Sequence, residues 1–459
     1  MPINNAFFIF EKDFSMYAIK VIITYQGSIM GRVEIKGNDF LFKGEIDIPP
    51  DKSISHRAII LSSFNTEVTR ITNLLISQDT RSTMDCLSKL GAQFEELDGD
   101  INVRGTGIRN YSAPQDVLYC GNSGTTARLL VGILSGQKFS SKLDGDISLR
   151  RRPMDRVKNP LEEMGATIST TSGRLPINIS PASLEGMDFD LNLGSAQVKS
   201  AILFAALTAS KETTFRDKKK SRDHTEIMLS SYTSNIKINN GVIHITPDPI
   251  IELSNIDVPN DPSSAAFFIV AGLINPDSEL ILKNLCLNPM RIKFVEILQK
   301  MGGNIKIANA TGKDNEVIGD VVVKSSQLKS IQITEDFIPA IIDEIPILCL
   351  ACSVAEGESI ISGASELRFK ESDRIKTTVT ELSKLGCEIQ EINDEIRITG
   401  KETLQGAPCE SNDDHRIAMM IAIAGTKALG ETVINNAECV SISFPNFFKL
   451  LKGFRKNIQ

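Results

Sequence analysis

Four stretches of the chain repeat one alternation of apolar and polar positions. An amphipathic run ends in a large apolar residue and a glycine, and a run of strict alternation follows. The four are MDCLSKLGAQFEELDGDINVRG from Met84, NPLEEMGATISTTSGRLPINI from Asn159, VEILQKMGGNIKIANATG from Val295 and VTELSKLGCEIQEINDEIRITG from Val379. Met84, Leu87 and Leu90 fall three apart, which puts them on one face of a helix. Gly91, Gly165, Gly302 and Gly386 are then expected just past the helix ends, where a positive φ closes the last turn. The alternating runs predict half-buried strands. A fifth copy, TEIMLSSYTSNIKINNGVIHIT from Thr225, lacks the glycine. Apart from one long step to Gly302, the copies recur at roughly seventy to eighty residues, the length of a βαβ-type module with an extra hairpin.

Between the copies lie SAILFAALTAS (Ser200 to Ser210), SSAAFFIVAGLI (Ser263 to Ile274) and IPILCLACSVAEG (Ile345 to Gly357). They are apolar all round, so they predict helices buried in domain centres. A chain of 459 residues is too long for one ordinary core. The pattern predicts two α/β domains with helices inside. The chain is expected to cross between them near Pro49–Asp51 and near Val258–Asp261, where proline meets polar turn residues. Residues 30–50 with 258–459 then form the first domain and 51–257 the second.

Residues 1–29 fall outside every repeat. Their two apolar patches are broken by Glu11, Lys12 and Asp13, and they lack the basic start and unbroken apolar run of a signal peptide. No stretch reaches the ~20 apolar residues of a membrane helix. Met30 is an alternative start, with MGRVEIKG as the first strand.

Composition narrows the partners. Apolar content is 41% and charged content 23%, ordinary for a globular protein. There is no Trp, and the formal net charge is −7. Both argue against a nucleic-acid binder, so any anion recognised is small and held in a local basic pocket. Of eight cysteines, Cys349 and Cys352 alone make a C-x-x-C, inside an apolar run. They read as buried thiols of a protein in a reducing cytoplasm, not as a metal or redox pair.

Polar clusters occur next to Gly or Ser at six places: DKSISHR from Asp51, CGNSGTTARLL from Cys120, SLRRRPMDR from Ser148, GSAQVKSA from Gly194, LRFKESDRIK from Leu367 and SNDDHRIAMM from Ser411. Each by itself fits a capped helix start or a solvated turn. Asp413, Asp414 and His415 lack the ligand spacing of a metal site. Asp343 and Glu344 open an otherwise apolar helix, as dipole partners or as groups set for proton transfer. If both domains aim these helix starts at one cleft, macrodipoles and arginines add there, and the ligand is strongly anionic.

Together with SRDHTE, DEIPIL and the closing SFPNF, these motifs run in order from about residue 41 to 450 and resemble the EPSP synthases, a family of enolpyruvyl transferases. The resemblance implies an inside-out α/β fold of two domains, each of three repeated βαβαββ-type units with buried helices. It implies transfer of the enolpyruvyl group of phosphoenolpyruvate to the 5-hydroxyl of shikimate 3-phosphate by a cytoplasmic monomer, with no metal and no organic cofactor. Glyphosate is the expected competitor of phosphoenolpyruvate.

By the same resemblance, Lys52 touches both substrates. Ser53, Arg57, Ser195, Ala196, Gln197, Arg222, Asp343 and Lys370 belong to the shikimate 3-phosphate site. Asn122, Gly124, Arg128, Arg152, Gln197, Arg374 and Arg416 belong to the phosphoenolpyruvate site. Asp343 and Glu371 divide the proton transfers. The chain departs from the family pattern at PPDKS, where Gly usually precedes the acid, at Ala196 in place of a second serine, and at Ile442 in place of a lysine. Two other readings are a sister transferase acting on UDP-N-acetylglucosamine, which uses a loop cysteine, and a non-catalytic anion-binding repeat protein.

Overall fold

The computed structural model describes residues 31–37, 39–313, 316–393 and 395–456. The extension 1–29 and Met30 lie outside the described residues.

The helix–glycine–hairpin units are present. The helices that matter below are α1 (Lys52–Phe64), α2 (Gln78–Lys89), α3 (Gly124–Ser135), α4 (Asp155–Glu163), α5 (Ala196–Ala206), α6 (His224–Tyr232), α7 (Pro262–Ile274), α8 (Lys293–Lys300), α9 (Ile345–Ser353), α10 (Arg374–Lys384) and α11 (His415–Lys427). Gly91, Gly165, Gly302 and Gly386 follow the caps of α2, α4, α8 and α10 with φ of 109°, 98°, 94° and 82°. A side chain there would meet its own carbonyl, which is why glycine recurs. The fifth copy manages without one. Its α6 ends at Thr233 in an extended conformation, φ −153°, and the chain leaves straight into the hairpin.

Six small sheets are formed among the described residues. Five have four strands on one plan, for example Leu118–Tyr119, Ser141–Asp144, Arg174–Ser180 and Thr167–Thr171. The first two strands are parallel and the last two form the predicted hairpin. The sixth joins the ends of the described chain. Arg32–Lys36, within the expected first strand, runs antiparallel to Glu431–Asn435, which pairs in parallel with Pro408–Glu410.

Two strands are exchanged. Lys43–Ile46 precedes α1 in the chain but pairs with Glu279–Cys286, the strand after α7. Asn255–Asp257 precedes α7 but pairs with Val68–Thr72, the strand after α1. The chain thus crosses twice, each time between a strand and the next helix. The crossovers run side by side, with Asp51 N–H bonded to Pro259 O at 2.8 Å and Asp261 N–H to Pro49 O at 2.9 Å.

Two hydrophobic cores result. One surrounds α1, α3 and α5, with Ile59, Leu130 and Phe204 fully buried. The other surrounds α7, α9 and α11, with Phe267, Leu348 and Met420 fully buried. The all-round apolar pattern is satisfied because sheets and neighbouring helices cover every face. Each such side chain contributes about 1.5–3 kcal/mol. Gly132 lets α3 approach α5 closely, since a Cβ there would lie 2.1 Å from Ala201 O. Cys349 and Cys352 are buried in α9, as expected of its apolar run. No described helix is long and apolar enough to cross a membrane.

Because residues 1–29 lie outside every motif and repeat, a chain starting at Met30 is expected to melt within a few degrees of the full chain and to keep its turnover. A circular-dichroism melt and an activity assay of the shortened chain check this. A large loss of either would show that residues 1–29 are needed.

Candidate active site

Five of the six polar clusters cap helices, while SLRRRPMDR lies across the end of the short helix Ile147–Arg151 and the start of α4, where Met154 makes no side-chain cap. Asp51 accepts from Ile54 N–H at the start of α1, Ser123 from Thr126 N–H at α3 and Ser195 from Val198 N–H at α5. Asp261 caps α7, Asp373 caps α10 and Asp414 caps α11. First-turn residues of all six helices line one cleft between the two cores. Their unpaired N–H groups and positive dipole ends converge on it.

The cleft wall carries ten Lys and Arg side chains and five carboxylates among the described residues, in a chain of net charge −7. Several pairs join the two sides. Arg222 Nη1 lies 2.8 Å from Asp343 Oδ2, and its Nη2 lies 3.3 Å from Glu344 Oε2. Arg156 Nη1 is 2.7 Å from Glu366 Oε2, and Arg152 Nη1 is 3.4 Å from Glu371 Oε1. Arg374 lies beneath, 1% exposed. It reaches Glu371 at 2.5 Å, Asp414 at 2.8 Å and Asp343 at 3.2 Å.

These contacts set the charge states. Burial works to raise the Asp343 carboxyl, but Lys370, Arg222, Arg416 and Arg374 outweigh it and hold the group well below the usual carboxylate range. Glu371 is likewise raised by burial and held well below its usual value by Arg374, then Arg152. Burial and the neighbouring Arg152 bring Arg128 down to about 9. Nε of Arg128, Arg152, Arg222 and Arg416 is buried without a protein partner, as are both ring nitrogens of His415. Buried unpaired donors are costly, so the wall is built to receive an anion.

Fifteen of the sixteen residues singled out from the motifs lie on this wall: Lys52, Ser53, Arg57, Gly124, Arg128, Arg152, Ser195, Ala196, Gln197, Arg222, Asp343, Lys370, Glu371, Arg374 and Arg416. Asn122 stands behind it. Its Oδ1 accepts from Arg152 Nη2 at 2.7 Å and its Nδ2 donates to Asp146 at 2.8 Å, so it touches the cleft through Arg152. Gln197 Oε1 accepts from Arg128 at 2.6 Å. Arg57 is engaged by Thr225, Ser200 and the Ser53 carbonyl. Ile442 packs against the core around α9 and is not on the wall.

The sequence reading missed Asp79, which pairs with Lys52 at 3.0 Å, and Glu366 opposite Arg156. Arg156 closes the quoted SLRRRPMDR, so a signal for it existed. Asp79 and Glu366 stand in no distinguishing motif. His224, Cys286 and Glu316 place one ligand atom each within 4.8 Å of one another. Arg291 Nη1 donates to His224 Nε2 at 2.9 Å, which leaves the imidazole proton on Nδ1, facing Glu316 Oε1 at 2.6 Å. That tautomer makes a hydrogen-bond chain and offers Nδ1 no lone pair for a metal.

The model of the EPSP synthase (3-phosphoshikimate 1-carboxyvinyltransferase) family matches residues 40–451. A 3-phosphoshikimate 1-carboxyvinyltransferase from Thermodesulfovibrio yellowstonii is 46% identical over 419 residues, covering 90% of this chain and 97% of the relative. One from Caldicellulosiruptor saccharolyticus is 46% identical over 435 residues, covering 93% and 100%. A solved structure of EPSP synthase from Acinetobacter baumannii superposes with a TM-score of 0.82 at 38% identity, covering 92% of this chain and 98% of that one. With its inside-out α/β fold and a cationic cleft lined by the family's motifs in order, the chain belongs to the EPSP synthase family.

Proposed function

We propose that the chain transfers the enolpyruvyl group of phosphoenolpyruvate to the 5-hydroxyl of shikimate 3-phosphate and releases phosphate, within the cleft between residues 30–50 plus 258–459 and residues 51–257. The observation that carries this reading is the pair Asp343 and Glu371, two carboxylates sharing Arg374 on a wall of helix starts and cations. A plain anion-binding protein has no use for carboxylates facing its ligand. The sister transferase needs a reactive loop cysteine. Cys120 is buried, and its contact with Cys86 and its burial push its thiol well up.

In this reading Asp343 takes the proton of the 5-hydroxyl while the oxygen attacks C2 of phosphoenolpyruvate. Glu371 delivers a proton to the methylene carbon, giving a tetrahedral intermediate. Elimination returns one of the methyl group's hydrogens to Glu371 as a proton, breaks the bond from C2 to the phosphate oxygen and re-forms the double bond, and the hydroxyl proton held by Asp343 leaves with the phosphate. Lys52, Arg152, Arg374 and Arg416 offset charge on phosphate and carboxylate as the transition state forms. Glu371 is ionised beside Arg374 and Arg152. The anionic groups of phosphoenolpyruvate oppose the pull of Arg374 and Arg152, so binding raises its proton affinity toward that of a usable acid. Asn122 acts through Arg152. Shikimate 3-phosphate is held by Ser53, Arg57, Ser195, Ala196, Gln197, Arg222 and Lys370. The protein works as a cytoplasmic monomer.

The test is phosphate release from phosphoenolpyruvate with and without shikimate 3-phosphate. Release that needs the second substrate supports the reading. Release that needs UDP-N-acetylglucosamine instead, or no release, refutes it.

Gly124 bears on glyphosate. A Cβ there would lie 2.8 Å from Arg128 Nη1 and 3.1 Å from Arg152 Nη1, so a methyl presses on two guanidinium ends. Gly124→Ala is therefore expected to raise KM for phosphoenolpyruvate as well as Ki for glyphosate, the longer inhibitor losing more. Inhibition kinetics check it. Equal changes in the two constants would refute the steric argument.

A further inference from the structure

Arg291 sits where the two crossovers pass. Its side chain is 1% exposed and its guanidinium is shared by four groups. Nη1 donates to Asp51 Oδ2 at 2.5 Å and to His224 Nε2 at 2.9 Å. Nη2 donates to Asp261 Oδ1 at 2.9 Å and to Ser263 Oγ at 3.1 Å. Asp51 lies on one crossover and Asp261 on the other.

Each partner stands at the start of a helix that serves the cleft. Asp51 caps α1, whose first residues are Lys52 and Ser53. Asp261 caps α7, and the Ser263 carbonyl there accepts from Arg416 at 3.4 Å. His224 opens α6, two residues after Arg222. The side chain of Arg291 itself reaches the cleft wall.

We propose that Arg291 is a positioning residue for the transfer. By clamping both crossovers it fixes Lys52, Arg222 and Arg416 relative to one another, so that cations from both sides of the cleft meet the anionic groups of the two substrates in register. The proposal rests on the reaction given above. Arginine suits the task because its planar fork fixes the directions of several donors at once, which a lysine ammonium on a flexible stem does not. The charge is matched by Asp51 and Asp261, and the hydrogen-bond chain continues through His224 to Glu316.

Turnover by the wild-type chain tests the reaction, and the proposal is read from variants against that rate. Arg291→Ala is expected to lose about 100-fold in kcat/KM for each substrate, the scale of a misplacement of about 1 Å. Low-millimolar guanidinium should restore about a tenth of that loss or more, where urea, of the same shape but uncharged, restores none. Arg291→Lys keeps the charge and protects the fold. It should still raise both KM values by about tenfold while its melt stays within a few degrees of wild type. A fold-supporting role alone would lower the melt and leave kcat/KM per folded molecule unchanged. Arg291→Lys with both KM values within threefold of wild type would overturn the assignment, as would an Arg291→Ala loss that guanidinium leaves untouched. Should the wild-type chain show no turnover, the reaction is what has failed. Calorimetric binding of shikimate 3-phosphate to the same variants then judges Arg291, and unchanged affinity counts against it.

Discussion

Glu371→Gln is expected to abolish deuterium exchange into the methylene of phosphoenolpyruvate, measured in deuterated water with shikimate 3-phosphate present. Asp343→Asn is expected only to slow it. Both variants should lose about 10²–10⁴-fold in kcat, the reach of general acid–base catalysis. The difference follows from place. Exchange requires reversible protonation of carbon, the role given to Glu371, whereas Asp343 faces the hydroxyl. The size of each side chain is kept and the surrounding cations stay, so both substrates should still bind. The two variants also shed one negative charge each beside Arg374, whose Nη2 reaches Glu371 at 2.5 Å and Nη1 reaches Asp343 at 3.2 Å. Exchange at the wild-type rate in Glu371→Gln would move the carbon acid to His415 or Lys52, both on the same wall.

Arg374→Gln is the second large effect. The guanidinium is buried and serves Asp414, Glu371 and Asp343 together. Asp414 is itself fully buried and caps α11. Removing the cation takes the ion-pair partner from fully buried Asp414 and the nearest one from Glu371, and should cost about 3–5 kcal/mol of stability at neutral pH. The pH dependence has a definite sign. In the wild type, Asp343 and Glu371 are held below their ordinary values, so they contribute stability above about pH 4 that is lost as pH falls further. Without Arg374 the pull weakens most on Glu371, whose largest counter-charge it is, and burial then works to raise that carboxyl, which costs stability once ionised. The deficit of the variant should shrink as pH is lowered toward about 4, where the carboxyls take up protons. Denaturant unfolding at several pH values measures it. A deficit independent of pH would show that Arg374 supports the fold by packing and not by charge.

How much of this was legible in the sequence depends on the range of each interaction. Gly91, Gly165, Gly302 and Gly386 were readable because a helix end needs a positive φ at one residue, whatever lies around it. The helix starts were readable for the same reason. Asp51, Ser123 and Ser195 cap N–H groups two or three residues away. The copy at Thr225 shows the limit, since its missing glycine reflects an extended Thr233 that no local pattern announces.

The sequence by itself determined the repeated units and the buried apolar helices, because period and caps act over a few residues, and it pointed to nearly all of the cleft residues through the resemblance of its ordered motifs to the family. The tertiary structure decided which carboxylate faces which cation. Arg291 meets Asp51 across 240 residues and Arg156 meets Glu366 across 210. It also decided that Asn122 reaches the cleft through Arg152, and that Lys43–Ile46 and Asn255–Asp257 each pair in the sheet beyond the next crossover. Partners at such separations are chosen by how two packed cores come together, and nothing within one stretch of chain encodes that distance.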